Sequence, residues 1–182
     1  MGLSAVRRLL LTPLQNGEAT AHVDISTAFL QSNMFQPVSP ARYLRLFDPV
    51  ANKVRFFRQW GVLYGSCSAP VRWMDTLHPW IETQGFVEGK NEQCVFYNAA
   101  TKVTVATYTD DILARGPAAE VVKFLTALQS RFKCKKPRYF TEADALDHLG
   151  MLFFMNERGV FLSMQHYIET MMHNLDLDTS KF

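Results

Sequence analysis

The sequence has few cysteines, no long apolar run and little net charge. Its three cysteines are odd in number and widely spaced, which excludes a disulfide framework and a zinc-finger pattern and indicates a reducing compartment. No apolar run approaches the roughly 18 residues of a membrane span, and no targeting signal is recognisable. We therefore expect no membrane contact and an intracellular location, cytoplasmic or nuclear. Because the formal net charge is only +2, any contact with nucleic acid must come from a local basic patch.

The composition is that of an ordinary globular protein. The chain has 182 residues, of which 48% are hydrophobic and 20% are charged, and these values exclude a disordered or fibrous chain. A chain of this size buries roughly 70% of the surface that its unfolded form exposes, which suffices for a core without disulfides or metals. We expect one domain, or one domain with a fragment of a second.

Short apolar runs separated by turn residues predict antiparallel hairpins with helices between them. The predicted strands cover residues 21–25, 43–47, 54–59, 94–98, 103–108, 112–115, 149–155 and 160–162. Helices are predicted over residues 4–14, over 70–84 with a kink or break at Pro79, after Gly116 and Pro117, and after a capping Ser163. The last two helices have apolar faces, formed by Val121, Leu125, Leu128 and Phe132, and by Tyr167, Met171 and Leu175. This mixture predicts an α+β fold in which an antiparallel sheet carries helices on one face.

Two segments place acidic residues on otherwise apolar strands. Asp110 and Asp111 are adjacent at a predicted hairpin tip. Aspartate is also common in turns for purely structural reasons, so a structural role and a chemical role both stay open. Asp24 lies within or at the end of a strand that reads as buried, and an unpaired buried carboxylate is costly, so it needs a donor, a base or a metal. If the fold joins all three, their repulsion requires cations, and oxygen ligands select magnesium or manganese.

With these acids in place, the sequence resembles the reverse transcriptases of copia-type long-terminal-repeat retrotransposons. The order and rough spacing of the family's motifs hold from about Ser4 to Asp176, nearly the whole chain. The matching segments are Asp24 followed after three residues by Ala28-Phe29-Leu30, then Leu63-Tyr64-Gly65 with Ala69-Pro70 and Trp73, Gly85-Phe86, Cys94-Val95-Phe96-Tyr97, Tyr108-Thr109-Asp110-Asp111, Leu149-Gly150, and Leu162-Ser163 with Tyr167-Ile168.

The resemblance implies a role for each matched residue. Asp24, Asp110 and Asp111 would be catalytic and would hold two Mg²⁺ or Mn²⁺ ions together with the backbone carbonyl of Ile25. The incoming nucleotide would be bound by Phe29, Tyr64 and Gly65, with Phe29 excluding a 2′-hydroxyl. The primer would be placed by Tyr108, Leu149 and Gly150.

The resemblance also implies an architecture and an activity. Residues 1–182 would form a single polymerase palm-like region. Within it, about 1–20 and 31–69 would be partial fingers, 21–30 and 70–148 the palm, and 149–182 the primer grip and the start of a thumb. The expected enzyme is a reverse transcriptase, an RNA-directed DNA polymerase. By two-metal nucleotidyl transfer it would join dNTPs to a primer 3′-hydroxyl on an RNA or DNA template.

Departures from the family pattern keep an alternative open. The family's fingers cations have no counterpart before Asp24, Cys67 stands where the family has a lysine, and the thumb is short. We therefore expect a part or derivative of a larger polyprotein, in which the isolated chain extends primers little or not at all. The alternative is a decayed or truncated retroelement remnant that keeps the fold without polymerising and acts at most as a nucleic-acid-binding or protein-interaction module. Self-association through the apolar face that a lost thumb once covered is left open.

The five histidines show no metal-ligand spacing, so we interpret them as structural or solvated. The basic residues between Lys133 and Arg138 fit a phosphate contact and a solvated loop equally well.

Overall fold

The computed structural model describes residues 9–11, 17–33, 42–156 and 158–175. The strands within these residues are β1 (Glu18–Asp24), β2 (Arg42–Asp48), β3 (Lys53–Gln59), β4 (Val87–Glu88), β5 (Val95–Asn98), β6 (Val103–Tyr108), β7 (Asp111–Pro117), β8 (Arg138–Tyr139), β9 (Leu146–His148), β10 (Met151–Asn156) and β11 (Gly159–Ser163). The helices are a 3₁₀ helix (Ala28–Gln31), α1 (Ala69–Thr83), α2 (Ala118–Arg131) and α3 (Gln165–Asn174).

The central sheet has six strands in the order β4-β5-β6-β7-β1-β8. All five pairs of neighbouring strands run antiparallel. Within this sheet β1 pairs with β7, in register from Glu18 opposite Pro117 to Asp24 opposite Asp111. A second sheet has the order β11-β10-β9, and β2 with β3 forms a separate hairpin. The predicted combination of antiparallel sheets with helices is therefore confirmed.

The two faces of the central sheet are covered by different elements, because alternate residues of a strand point to opposite faces. One face packs against α1 and α2: Val23 of β1 and Ile112 of β7 share a core with Trp73 and Leu125 of the helices. The other face packs against the second sheet, where Leu113 of β7 shares a second core with other buried side chains, among them Leu10, Leu146, Met151 and Phe153. The sequence predicted the helical layer but not the second sheet beneath the other face.

The amphipathic pattern of α2 is confirmed, and the prediction for α3 is confirmed only in part. The four apolar residues predicted for the α2 face are all buried. Tyr167 and Met171 of α3 and Leu175 directly after it are all exposed, and the helix buries no residue. Ser163 ends β11, and its hydroxyl accepts the N–H of Gln165, although the helix itself begins after Met164.

Two further expectations need correction or lie partly outside the described residues. Pro79 does not split α1, which continues unbroken to Thr83. The reason is that a helical proline removes one N–H bond, whereas the buried Trp73, Leu77 and Ile81 hold the helix on the sheet from both sides of it. Of the helix predicted over residues 4–14, Leu9–Leu11 is helical and the remainder lies outside the described residues. No helix among the described residues is both long and apolar enough for a membrane span.

Candidate active site

The structure brings the three acidic residues to one end of the central sheet. Asp24 is the last residue of β1 and faces Asp111, the first residue of β7. Residues that face each other across antiparallel strands have Cβ atoms about 4.5–5.5 Å apart. Asp110 lies in the two-residue turn before β7, and its carbonyl oxygen accepts the N–H of Ile25 at 2.8 Å. Asp24 and Asp111, which are 87 positions apart in the sequence (111 − 24), thus meet through strand register.

The turn that carries Asp110 is held in a strained conformation by α1. Thr109 adopts the left-handed region with φ 52°, which is unfavourable for a β-branched residue and costs on the order of 1–3 kcal/mol. The carbonyl of Thr109 accepts a hydrogen bond from the indole N–H of Trp73, which is itself buried in the helical core. Trp73 therefore links the conformation of the turn to the packing of α1.

The two adjacent aspartates have opposite electrostatic environments. The pKa of Asp110 is raised above its ordinary value, first by burial and then by the negative charges of Asp111 and Asp24. For Asp111, burial alone would raise the pKa, but the hydrogen bond and positive charge of His22 outweigh burial and lower it. Lys135 donates to Asp24 Oδ2 at 3.1 Å, and its charge partly offsets the repulsion among the acids. Negative charge at this site is thus only partly compensated by the protein.

Two histidines accompany Asp111, and sequence reasoning missed both. His22 Nε2 lies 2.9 Å from Asp111 Oδ1, and the rings of His22 and His148 meet edge to face with centroids 5.3 Å apart. His148 is 1% exposed, and burial followed by the charge of His22 lowers its pKa to about 4. His22 could have been found in the sequence, because it lies two residues before Asp24 and therefore on the same strand face. No sequence signal pointed to His148.

Two of the residues predicted to bind nucleotide are in contact. Phe29 lies on the 3₁₀ helix that follows β1, and its ring centroid is 5.0 Å from that of Tyr64. The 3₁₀ helix is fixed by Gln31, whose side chain donates to the carbonyl of Ser26 and accepts the N–H of Lys133. Gln31 is a positioning residue that the sequence did not indicate. Tyr64 is half-exposed, and Gly65 next to it has a positive φ of 84°.

The residues predicted to bind primer lie on two hairpins. Tyr108 faces Asp111 across the β6–β7 hairpin and lines a cavity of about 260 Å³ together with Trp73. Leu149 and Gly150 form the two-residue turn between β9 and β10, with φ 55° and 72°. Since His148 immediately precedes this turn and approaches Asp111, the second hairpin reaches the acidic cluster.

The β2–β3 hairpin carries a second surface of functional interest. One of its faces, which we call the aromatic–basic face, pairs Tyr43 with Arg58, Arg45 with Phe56, and Phe47 with Val54. These side chains are all exposed, and the aromatic ones are 61–67% accessible. The acid of this hairpin, Asp48, belongs to the opposite face, where it pairs with Arg55 at 2.8 Å. The aromatic–basic face thus combines flat rings with positive charge.

Comparison with known proteins gives a consistent assignment. The family model described as "Reverse transcriptase (RNA-dependent DNA polymerase)" matches residues 1–181. The chain is also 25% identical over 169 residues to the transposon Ty5-1 protein YCL074W of Saccharomyces cerevisiae. The alignment covers 87% of this chain and 51% of that protein, so the chain spans about half the length of the curated relative it matches.

Proposed function

The chain belongs to the reverse transcriptase family, and from this membership we propose that it is the catalytic region of an RNA-directed DNA polymerase. In this proposal it transfers a deoxynucleotide from a dNTP to a primer 3′-hydroxyl on an RNA or DNA template. The observation that carries the proposal is the register of β1 and β7, which sets Asp24 opposite Asp111 beside the turn with Asp110. The proposed origin is a longer polyprotein, as the family resemblance suggests.

We propose that the residues at this end of the sheet hold two magnesium or manganese ions. The donors are carboxylate oxygens from Asp24, Asp110 and Asp111, which suit hard divalent cations. In this proposal the backbone carbonyl of Ile25 is a further ligand, and the N–H of Ile25 donates to the Asp110 carbonyl at 2.8 Å, which holds Ile25 beside the turn. The raised pKa of Asp110 reflects burial first, and then negative charge from Asp111 and Asp24 that Lys135 only partly offsets. When bound, such ions would lower the pKa of the primer hydroxyl and stabilise the leaving pyrophosphate.

The chain's own residues would supply positioning. Trp73 holds the turn so that Asp110 stays beside Asp24, and a fixed geometry for the reacting groups can be worth about 7–11 kcal/mol of barrier. Phe29, supported by Tyr64, would pack against the sugar and exclude a 2′-hydroxyl. Gly65 would let the backbone approach the nucleotide and template because it carries no Cβ.

We propose that the primer end lies between two hairpins. Tyr108 would contact it from the β6–β7 hairpin, and Leu149 with Gly150 would hold the strand from the β9–β10 turn. In this scheme residues 21–30 and 70–148 are the palm, 31–69 belongs to the fingers together with about 1–20, and 149–182 comprises the primer grip and the start of the thumb.

The aromatic–basic face of the β2–β3 hairpin is the surface that we propose for the single-stranded template. Stacking of a base on an exposed aromatic ring contributes about 1–3 kcal/mol and does not depend on sequence. Tyr43 and Phe56 offer such rings, and Arg45 and Arg58 offer charges for the phosphates between them. Binding at this surface should weaken steeply with salt.

The decisive experiment combines metal binding with primer extension. The chain alone should bind Mn²⁺ in calorimetry, and Asp110→Asn should weaken this binding, whereas Asp144→Asn, an exposed loop acid, should not. Extension should be measured with the chain joined to the flanking segments of a related element, because the chain spans about half the length of its curated relative. Asp110→Asn should abolish that extension. Metal binding without any extension, even with these segments, would support a remnant that keeps the fold but does not polymerise.

A further inference from the structure

A second group of metal-binding side chains lies beside the carboxylates, and the proposed polymerase chemistry leaves its histidines unused. His22 on β1, Asp111 on β7 and His148 on β9 each offer one ligand atom, and these atoms all lie within 4.8 Å of one another. His22 Nε2 and Asp111 Oδ1 are the closest contact, at 2.9 Å. Three separate strands from two sheets thus converge on one small volume.

The imidazole of His148 is buried in this volume without a hydrogen-bond partner among the described residues. The ring is 1% exposed, yet neither of its nitrogens has a hydrogen-bond partner. Leaving a buried polar group unpaired is costly, so natural proteins almost always satisfy it with protein, water or an ion.

We propose that His22, Asp111 and His148 bind a zinc ion, or a late first-row divalent ion of similar preference. Two imidazoles and one carboxylate are the donor set of open zinc sites, in which water takes the fourth position. Magnesium prefers octahedral oxygen ligands and is therefore disfavoured. Zinc bonds of about 2.0–2.2 Å require ligand atoms roughly 3.3 Å apart, so small side-chain rotations suffice to close the site.

A zinc ion bound at this site would regulate the adjacent magnesium site, a consequence that rests on the proposed polymerase function. Asp111 belongs to both sites, so a zinc ion bound here withdraws a carboxylate from magnesium. The ion would also tie the β9–β10 turn to the β6–β7 hairpin, because His148 immediately precedes Leu149. Zinc should therefore inhibit extension at a fixed magnesium concentration. The binding itself does not depend on that function.

The test uses the full chain, freed of metal with a chelator and titrated with Co²⁺ and then Zn²⁺. We expect one equivalent of Co²⁺ with the visible absorption of a tetrahedral site, displaced by Zn²⁺, and a rise in thermal stability with Zn²⁺. His148→Phe and the milder His22→Gln should each weaken binding by about 100-fold. His166→Gln, which changes an exposed histidine of α3, should bind as the wild type does. Circular dichroism establishes that each variant is folded.

Two results would overturn the site: no Co²⁺ or Zn²⁺ binding by the folded wild type, or equal affinity in wild type and both variants. The activity measurements separate this proposal from the previous one. One outcome is that zinc binding requires both histidines while the chain joined to flanking segments never extends a primer. In that case the polymerase proposal fails and the zinc site stands. If extension proceeds and zinc neither binds nor inhibits, the zinc site fails and the polymerase proposal stands.

Discussion

Replacing the adjacent acids Asp110 and Asp111 by asparagine should change stability in opposite directions. Asp111 accepts a hydrogen bond from His22, and bonds to a charged group contribute about 1.5–3 kcal/mol against about 0.5–1.5 for a neutral one. Asp111→Asn should therefore cost about 1–2 kcal/mol of unfolding free energy. Asp110 is partly buried and is repelled by Asp111 and Asp24, so after solvent screening Asp110→Asn should gain about 0.5 kcal/mol.

The two effects should also depend on pH with opposite signs. The lowered pKa of Asp111 stabilises the fold above the unfolded-state value of 3.8, and this contribution disappears as pH falls through the folded pKa. The raised pKa of Asp110 destabilises the fold above its folded value, and this penalty disappears as pH falls toward 3.8. The gain from Asp110→Asn should therefore shrink as pH decreases from 7 to about 4.

Thermal and urea unfolding of metal-free protein are the assays. For a chain of this size, about 1 kcal/mol shifts Tm by roughly 2–4 °C, so both changes are measurable. Asp144→Asn on an exposed loop is the control and should be neutral. A double-mutant cycle with His22→Gln should give a coupling of about 1 kcal/mol with Asp111→Asn. Destabilisation by both variants, or no coupling to His22, would refute the electrostatic assignment.

Three further predictions address the remaining parts of the site. Phe29→Ala, in the extension assay, should raise ribonucleotide incorporation about 10-fold or more. Unchanged sugar selectivity would contradict the proposal that Phe29 excludes a 2′-hydroxyl. Trp73→Phe removes the indole donor to the turn, worth about 0.5–1.5 kcal/mol, and should weaken Mn²⁺ binding about 3- to 10-fold in calorimetry. Trp80→Phe on the same helix should leave Mn²⁺ affinity unchanged, and an equal loss would point to general loosening of α1. Phe56→Ala should weaken single-stranded RNA binding about 5- to 100-fold by fluorescence anisotropy, with Leu46→Ala on the opposite face as the neutral control.

The local structure of the β6–β7 hairpin follows from the sequence alone. Apolar, β-branched runs on both sides of Thr109-Asp110 specify two strands and a short turn, and the structure has both. The buried face of α2 is likewise predicted by apolar residues that recur every three or four positions. Such features are predictable because neighbouring residues in the sequence determine them.

Local sequence patterns did not predict the continuity of α1 or the exposure of the apolar face of α3. Pro79 predicted a break, but α1 stays continuous because its buried face packs on the sheet. Tyr167 and Met171 do form one apolar face of α3, yet both are exposed. A sequence pattern specifies that a face is apolar, whereas its burial depends on which other element is placed against it.

Only the tertiary structure decided which side chains share the site. Asp24 meets Asp111 through the register of β1 and β7, and a shift of one residue would turn Asp24 to the other face of the sheet. Lys135 and His148 join the acids from segments far from Asp24 in the sequence, so no spacing predicts them, whereas His22 shares a strand face with Asp24. The sequence by itself determined the acids, the turn and the family. The cations and imidazoles around them are placed by pairing between strands that are distant in the sequence. No local pattern in a single sequence specifies such pairing.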